Sequence, residues 1–126
     1  LNLSSGDRIT IEQTGDTTSR PGGPENRHST IAVFSGSDRL LAPSKLNRVP
    51  DAIKAGTNAE TPKTFFGNQP TDIPEDFRVT NFDGSVSSVT VTVPDGATHL
   101  FVGAEDSEPT DNRDPDDDYR VTIRRG

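Results

Sequence analysis

Residues 87–94, SSVTVTVP, decide the fold class of this chain. Val89, Val91 and Val93 alternate there with Thr90 and Thr92, so every second side chain is apolar. This period of two is typical of a strand with one face on the core and the other in water, and β-branched residues suit a pleated backbone. The stretch therefore predicts a half-buried β-strand with its valines turned inward.

Segments with the same period lie on both sides of this strand, and turn residues separate them. Gly, Pro, Asn and Asp fill the gaps, as expected between short strands. The predicted strands are residues 7–13 (DRITIEQ), 30–34 (TIAVF), 64–67 (TFFG), 77–82 (FRVTNF), 99–104 (HLFVGA) and 119–125 (YRVTIRR). The pattern predicts an all-β fold: one domain over residues 1–126, built as a two-sheet antiparallel β-sandwich or jelly roll.

Three stretches are predicted to connect strands. Residues 13–29 and 35–63 form linkers longer than most loops of a compact domain, and such loops often carry function. Residues 50–60 (PDAIKAGTNAE) carry no second apolar stripe and are predicted to be loop instead of helix.

Composition excludes several classes of function. The chain has 126 residues, of which 28% are hydrophobic, and it contains no Cys, Met or Trp. Without cysteine there are no disulfides, thiolate metal sites or thiol nucleophiles. The sequence contains no apolar run long enough to cross a bilayer, so no membrane insertion is expected. The net charge of −7 argues against nucleic acid as a partner.

The negative charge is concentrated in residues 105–118, EDSEPTDNRDPDDD. This segment holds eight acids and one base, Arg113, so it accounts for the whole net charge of −7. Crowded carboxylates repel unless water, salt or a cation screens them. Oxygen donors without Cys favour Ca²⁺ over zinc or copper. A calcium site and a solvated acidic loop are both consistent with this pattern.

Two sets of residues with side-chain oxygens are candidate calcium ligands. The preferred set begins with Asp106 and continues with Asp111 and Asn112 in one loop between two strands. The second set has the D-x-D-x-D spacing that opens a helical calcium loop, at Asp114, Asp116 and Asp118. It ranks lower because Tyr119 stands where that loop needs Gly, and Arg125 stands where it needs Glu.

Motifs near both ends of the chain resemble the calcium-dependent galactose-binding bacterial lectins and related β-sandwich modules of secreted and surface-sorted bacterial proteins. The matching elements are Gly6-Asp7-Arg8-Ile9-Thr10-Ile11, Phe65-Phe66-Gly67, Leu100 to Asp106, Asp111-Asn112, and Tyr119-Arg120-Val121-Thr122-Ile123. The resemblance implies a secreted or cell-surface protein. The sequence opens abruptly at Leu1, inside a stretch typical of a strand, so we expect a domain processed or excised from a longer secreted chain. The resemblance also implies Ca²⁺ ligands: the side chains of Asp106, Asp111 and Asn112 and the backbone carbonyls of Thr110 and Ser19.

The sequence departs from the lectin pattern in two places. Residues 113–118, RDPDDD, are longer than the usual small link before the final strand. Only Leu1 to Ser5 precede the Gly6-Asp7 turn, where the family has a further strand. A missing strand would leave one sheet edge open to a partner.

Two functions from different classes follow from these observations. The first is a calcium-dependent carbohydrate-binding, lectin-like module whose ion contacts a glycan with vicinal hydroxyls. Asn26, Arg27 and His28 are the candidate rim contacts, with an ordinary polar loop as the alternative. Sugar faces usually stack on Trp or Tyr; this chain has no Trp, and its only Tyr, Tyr119, is predicted to be in the core. The second is a structural or adhesive surface or filament subunit, with calcium only stabilising a loop and another copy of the chain as partner in a homo-oligomer.

An enzyme is not expected. The only histidines are His28 and His99, the latter predicted to be at the surface, and no nucleophile or phosphate-binding motif is present. Phe65 and Phe66 are predicted to be a core or edge pair. Arg124 and Arg125 are predicted to balance nearby acids.

Overall fold

The structure is a computed structural model of the 126-residue chain. It describes residues 2–18, 22–26, 29–39, 49–56, 59, 65–66, 69–70, 75–81, 85–104 and 113–126. Of residues 25–26, 65–66, 69–70 and 104 it describes the backbone alone. The described part consists of β-strands and connections without an α-helix, which confirms the predicted all-β class.

The strands are short, as expected for a chain interrupted by so many turn residues. In chain order they are β1 (Arg8–Thr14), β2 (Thr17–Thr18), β3 (Glu25–Asn26), β4 (Thr30–Ser35), β5 (Ala52–Ile53), β6 (Phe65–Phe66), β7 (Gln69–Pro70), β8 (Phe77–Arg78), β9 (Ser88–Thr92), β10 (His99–Ala104) and β11 (Arg120–Arg125).

Two antiparallel sheets form the sandwich. The first has the order β11-β1-β9, so the strand nearest the start of the chain lies between two strands from its last third. The second has the order β10-β4-β5, and β8 also pairs with β4. Two small hairpins, β2-β3 and β6-β7, and an isolated bridge between Thr18 and Arg113 complete the described pairings.

The core lies between the inner faces of these sheets. Ile9 and Ile11 of β1 are fully buried beside Val91, as the alternation of both strands predicted. The second sheet contributes Phe34 and Phe77, whose rings stack with centroids 5.7 Å apart. The other buried members of this cluster are Ala32, Val79 and Val93. A smaller cluster on the outer face of β4 joins Val33 to Val49.

The structure corrects three expectations. Residues 50–60 are not all loop, because Ala52–Ile53 pairs with the end of β4. The linker 13–29 is not free of strands, because β1 runs to Thr14 and β2 pairs with β3. Tyr119 is half-buried and is not a member of the apolar core. Its hydroxyl lies 3.0 Å from Thr30 Oγ1, so it belongs to a polar part of the interior.

Arg124 and Arg125 balance acids as predicted. Their guanidinium groups lie 3.0 Å from Glu12 Oε2 and 3.4 Å from Asp7 Oδ2, respectively. His99 is exposed, as predicted. The side chains of Phe65 and Phe66 lie outside the described residues. None of the described segments is a helix with the length and apolarity needed to span a bilayer.

Candidate metal centre

The pairing of β1 with β11 brings two remote loops together. The last residue pair of this ladder is Thr14 with Arg120, so Asp16 lies two residues after β1 and Asp118 lies two residues before β11. The backbone N–H of Asp16 donates a hydrogen bond to Asp118 Oδ1 at 3.0 Å. The end of β1 and the start of β11 therefore share one acidic corner of the sheet.

Asp16, Asp116 and Asp118 form the candidate metal centre at this corner. One carboxylate oxygen from each residue lies within 4.8 Å of the other two. Asp116 and Asp118 are exposed and Asp16 is half-buried, so the group opens to solvent. Three carboxylates this close repel one another in the absence of a cation, and together they offer the hard oxygen donors of a divalent ion.

Gly15 permits the close approach of the two loops. Its φ of +76° lies in the left-handed region, which side chains other than glycine rarely adopt. A Cβ at this position would meet the backbone carbonyl of Asp118 and would lie 2.6 Å from Asp118 Oδ1. Any larger residue would push the Asp118 loop away, so Gly15 is part of the site although it offers no ligand atom.

Asp114 closes the loop that carries the other two acids. Its carboxylate accepts hydrogen bonds from the backbone N–H groups of Asp118 (3.2 Å) and Tyr119 (3.0 Å). Desolvation raises the pKa of Asp114, but the hydrogen bonds, that of Tyr119 foremost, together lower it more, so the pKa lies below its ordinary value of 3.8. Asp114 is therefore held as a carboxylate whose role here is to shape the loop.

Strand β2 also makes hydrogen bonds at the start of the acidic loop. The Thr18 N–H donates to the Arg113 carbonyl at 2.7 Å, and the Arg113 N–H donates to Thr18 Oγ1 at 3.0 Å. These bonds join the strand that follows Asp16 to the residue that precedes Asp114. Both ends of the acidic loop 114–118 are thus held against the β1–β2 segment.

A buried polar network lies beneath the acidic corner. Gln13 is only 1% exposed, and its Oε1 accepts hydrogen bonds from the hydroxyls of Thr30 and Thr80, each at 2.7 Å. Its Nε2 donates to the Gly15 carbonyl at 3.0 Å. Because the amide is satisfied on both sides, its burial carries no penalty for unpaired polar groups. The network connects both sheets to the turn that presents Asp16.

The structure brings together part of the lower-ranked ligand set and leaves the preferred set untested. Asp116 and Asp118 of the D-x-D-x-D stretch meet at the corner, whereas Asp114 serves as a backbone acceptor. The preferred ligands Asp106, Thr110, Asp111, Asn112 and Ser19 lie outside the described residues. So do Arg27, His28 and the side chain of Asn26.

Asp16 and Gly15 are the site residues that sequence reasoning missed. Neither belongs to the acidic segment, and local periodicity gives no sign that the first and last strands pair. Aligning Ile11 with Ile123 as cross-strand partners, as the structure does, would have placed Asp16 opposite Asp118 by counting.

A concave feature lies at the opposite end of the sandwich from the acidic corner. It is a cavity of about 500 Å³ between the edges of the two sheets, with Phe34, Val93, Leu100 and Ile123 among its mainly apolar walls. His99 also borders it, with Nδ1 2.8 Å from Thr98 Oγ1. None of the three clustered acids lines this cavity, so it is separate from the metal centre.

Comparison with known proteins adds no relative: no family model matches the chain, and neither the curated proteins nor the solved structures searched contain a match.

Proposed function

We propose that this chain is a calcium-dependent, lectin-like module of a secreted or cell-surface protein that binds carbohydrate and catalyses no reaction. The observation that carries the proposal is the group formed by Asp16, Asp116 and Asp118, whose carboxylate oxygens lie within 4.8 Å of one another. Two loops far apart in the sequence converge there, which is the arrangement that a bound cation would stabilise.

Calcium fits these donors better than the other common ions. The group contains only carboxylates, and the chain has no cysteine to favour zinc or copper. Ca²⁺ accepts about 6–8 oxygens in flexible geometry, whereas Mg²⁺ demands a near-ideal octahedron and keeps its waters. Three carboxylates on two loops supply charge without an octahedral cage, which favours the larger ion.

Carbohydrate is the proposed ligand because the site faces solvent. Asp116 and Asp118 are exposed, so an ion held by them would have coordination positions open to outside oxygens. Two neighbouring hydroxyls of a sugar can replace two waters in such a shell. The resemblance to galactose-binding lectins supports the same ligand class.

The ligands implied by the resemblance remain part of the proposal. Thr18 and Arg113, which are hydrogen-bonded to each other, are the sequence neighbours of Ser19 and Asn112. The backbone of Asn26 pairs with Thr17, the residue after Asp16. These pairings support a site to which loop 106–112, Ser19 and the rim residues Asn26, Arg27 and His28 contribute.

A structural or adhesive subunit is the second candidate function. In that case the ion stabilises the acidic loop and the partner is another copy of the chain. The observation that favours it is strand β9, which lies at the edge of its sheet and carries no charged residue.

Thermal melts in EDTA, in excess calcium and in excess magnesium test the calcium site. Binding at about 100 times the dissociation constant adds roughly 2.7 kcal/mol, or a rise in Tm of roughly 5–15 °C for a domain of this size. We expect this rise with calcium and a much smaller one with magnesium. Equal responses to the two ions, or none, would overturn the calcium assignment.

Variants locate the ion. Asp118→Asn and Asp116→Asn should abolish most of the calcium-dependent rise in Tm, because each removes a carboxylate from the group. Asp117→Asn is the matched control, since it makes the same charge change in the same loop at a residue outside the group. Asp106→Asn tests the preferred ligand set: we expect it to abolish the rise as well. If Asp117→Asn lowers the rise as much as Asp118→Asn, general charge repulsion explains the effect.

Titration of the calcium-loaded protein with galactose, followed by calorimetry, tests the ligand. We expect galactose to bind in the presence of calcium and not in EDTA. A galactose analogue that lacks one of the two neighbouring hydroxyls should not bind. A calcium-dependent rise in Tm without any sugar binding would favour the structural subunit.

A further inference from the structure

The two edges of the three-stranded sheet differ in their side chains. Strand β11 carries three arginines in six residues, and charged edge strands discourage pairing with other chains. Strand β9, Ser88–Thr92, contains only serine, threonine and valine. Proline and charged residues usually protect an edge strand from pairing with another chain, and β9 contains neither.

The backbone groups at the β9 edge can be assigned from the ladder. The Val93 N–H donates to the Asp7 carbonyl at 2.8 Å, and the Gln13 N–H donates to the Ser87 carbonyl at 3.0 Å. In an antiparallel ladder these hydrogen-bonded positions alternate. Odd-numbered residues of β9 therefore face β1, and Ser88, Thr90 and Thr92 direct their N–H and C=O groups away from the sheet. No described residue hydrogen-bonds to those outward groups.

Local hydrogen bonds limit this open edge at both ends. Before the strand, the Val86 N–H donates to Asn81 Oδ1 at 3.1 Å, and the Asn81 N–H donates to the Val86 carbonyl at 3.2 Å. After the strand, Pro94 has no N–H, and its carbonyl accepts from Ala97 at 3.3 Å. With respect to the described part of the chain, the open edge of this strand is therefore the run from Ser88 to Thr92.

We propose that this edge pairs antiparallel with β9 of a second copy of the chain, across a two-fold axis at Thr90. In that register Thr90 faces Thr90, and Ser88 faces Thr92. Each pair of outward-facing residues exchanges two hydrogen bonds, so this register uses every outward group of the run. A shift in register would leave some of them unpaired. The two sheets then form one continuous sheet, as an isologous dimer requires.

Side chains at the joint are compatible with self-pairing. Ser88, Thr90 and Thr92 are all exposed on the outer face, and threonine–threonine and serine–threonine pairs are favourable across strands. The same contact already exists within the sheet, where Thr10 Oγ1 lies 2.8 Å from Thr90 Oγ1. Val86, which is 46% exposed, would lie opposite Pro94 of the partner subunit and gain apolar cover.

The pairing is short, so we expect a transient dimer in the range of small interfaces. Sedimentation velocity over a micromolar to millimolar series, in EDTA, should show a reversible increase toward twice the monomer mass. The use of EDTA keeps this test independent of the metal centre. A monomer at every concentration would overturn the proposal.

Charge variants at the two-fold axis test the register. Thr90→Lys and Thr90→Glu each place like charges opposite one another, and we expect about a tenfold weaker association for each. Mixing the two variant proteins should restore association, because opposite charges then face each other. Thr122→Lys is the matched control: it makes the same change on the same face of the sheet, on strand β11. It should leave association unchanged.

Two results would contradict this assignment. If Thr122→Lys weakens association as much as Thr90→Lys, the interface lies elsewhere or responds only to net charge. If both Thr90 variants dimerise as strongly as the native chain, strand β9 is not the dimer interface. Thermal melts of each variant establish that it folds, so that loss of association is not loss of structure.

Discussion

The interior of the sandwich has an apolar half around Ile9 and Ile11 and a polar half around Gln13. The two halves differ in chemistry although inward-facing and outward-facing residues alternate regularly along the whole of strand β1. Ile9 and Ile11 are fully buried in an apolar cluster. Gln13, the next residue on the same face, is also buried, but its partners are the hydroxyls of Thr30 and Thr80. The cluster around Ile9 and Ile11 is held by apolar contacts, whereas the polar half is ordered by directional hydrogen bonds.

This difference gives the two halves different structural roles. The apolar half ends at the cavity near His99, and the polar half ends beneath Asp16, Asp116 and Asp118. Hydrophobic burial depends on area and not on direction, so it holds the sheets together without specifying loop geometry. Hydrogen bonds are directional and can position the turn at Gly15. The polar half therefore positions the candidate site.

The largest expected effect comes from the apolar half. Ile11→Ala should lower the free energy of unfolding by about 2–5 kcal/mol, because it leaves a cavity in a fully buried cluster. Ile123 is its cross-strand partner on β11 and is 36% exposed, so Ile123→Ala should cost only about 1 kcal/mol. Urea unfolding of both variants measures the difference. Equal losses of unfolding free energy would mean that Ile123 is packed as tightly as Ile11.

The next largest effect comes from the polar half. Gln13→Ala should lower the free energy of unfolding by about 2–4 kcal/mol, since it leaves the Thr80 hydroxyl and the Gly15 carbonyl without their partner. It should also weaken calcium binding, because the turn that carries Asp16 loses its anchor. The neighbouring Glu12→Ala removes only an exposed ion pair with Arg124 and should change stability by less than about 1 kcal/mol.

Calcium binding by the Gln13→Ala protein distinguishes the two roles of this residue. Isothermal titration below the melting temperature should show a loss of affinity that Ile11→Ala, although comparably destabilised, does not share. Equal calcium affinities in the two variants would mean that the polar half contributes to stability alone.

The smallest effect is a dependence on pH at Asp114. Its pKa is lowered in the folded chain, so the stability it contributes is complete above its ordinary pKa of 3.8 and is lost as the pH falls through the lower folded value. The difference in unfolding free energy between the native chain and Asp114→Asn should therefore shrink as the pH drops below 3.8. Asp38→Asn is the control, since Asp38 is exposed at the surface. A difference that stays constant with pH would contradict the role assigned to the carboxylate.

Much of the fold could be predicted from local pattern, because alternation reports directly which face of a strand is buried. Val91 and Val93 are buried and Thr90 is exposed, as the period of two predicted. The short strand at Ala52–Ile53 was not predicted, since two residues are too few to display a period. The burial of Gln13 was not predicted either, because its partners Thr30 and Thr80 come from other parts of the chain.

The sequence by itself determined that this chain is all-β, that residues 105–118 account for its net negative charge, and that no cysteine is available as a metal ligand. Only the tertiary structure decided which acids meet. Asp16 and Asp118 are 102 residues apart and become neighbours because β1 pairs with β11 in one register. Alternation predicted that Ile11 faces the core, but it could not show that Ile123 is its cross-strand partner or that Gly15 meets the Asp118 loop, because those partners come from the far end of the chain.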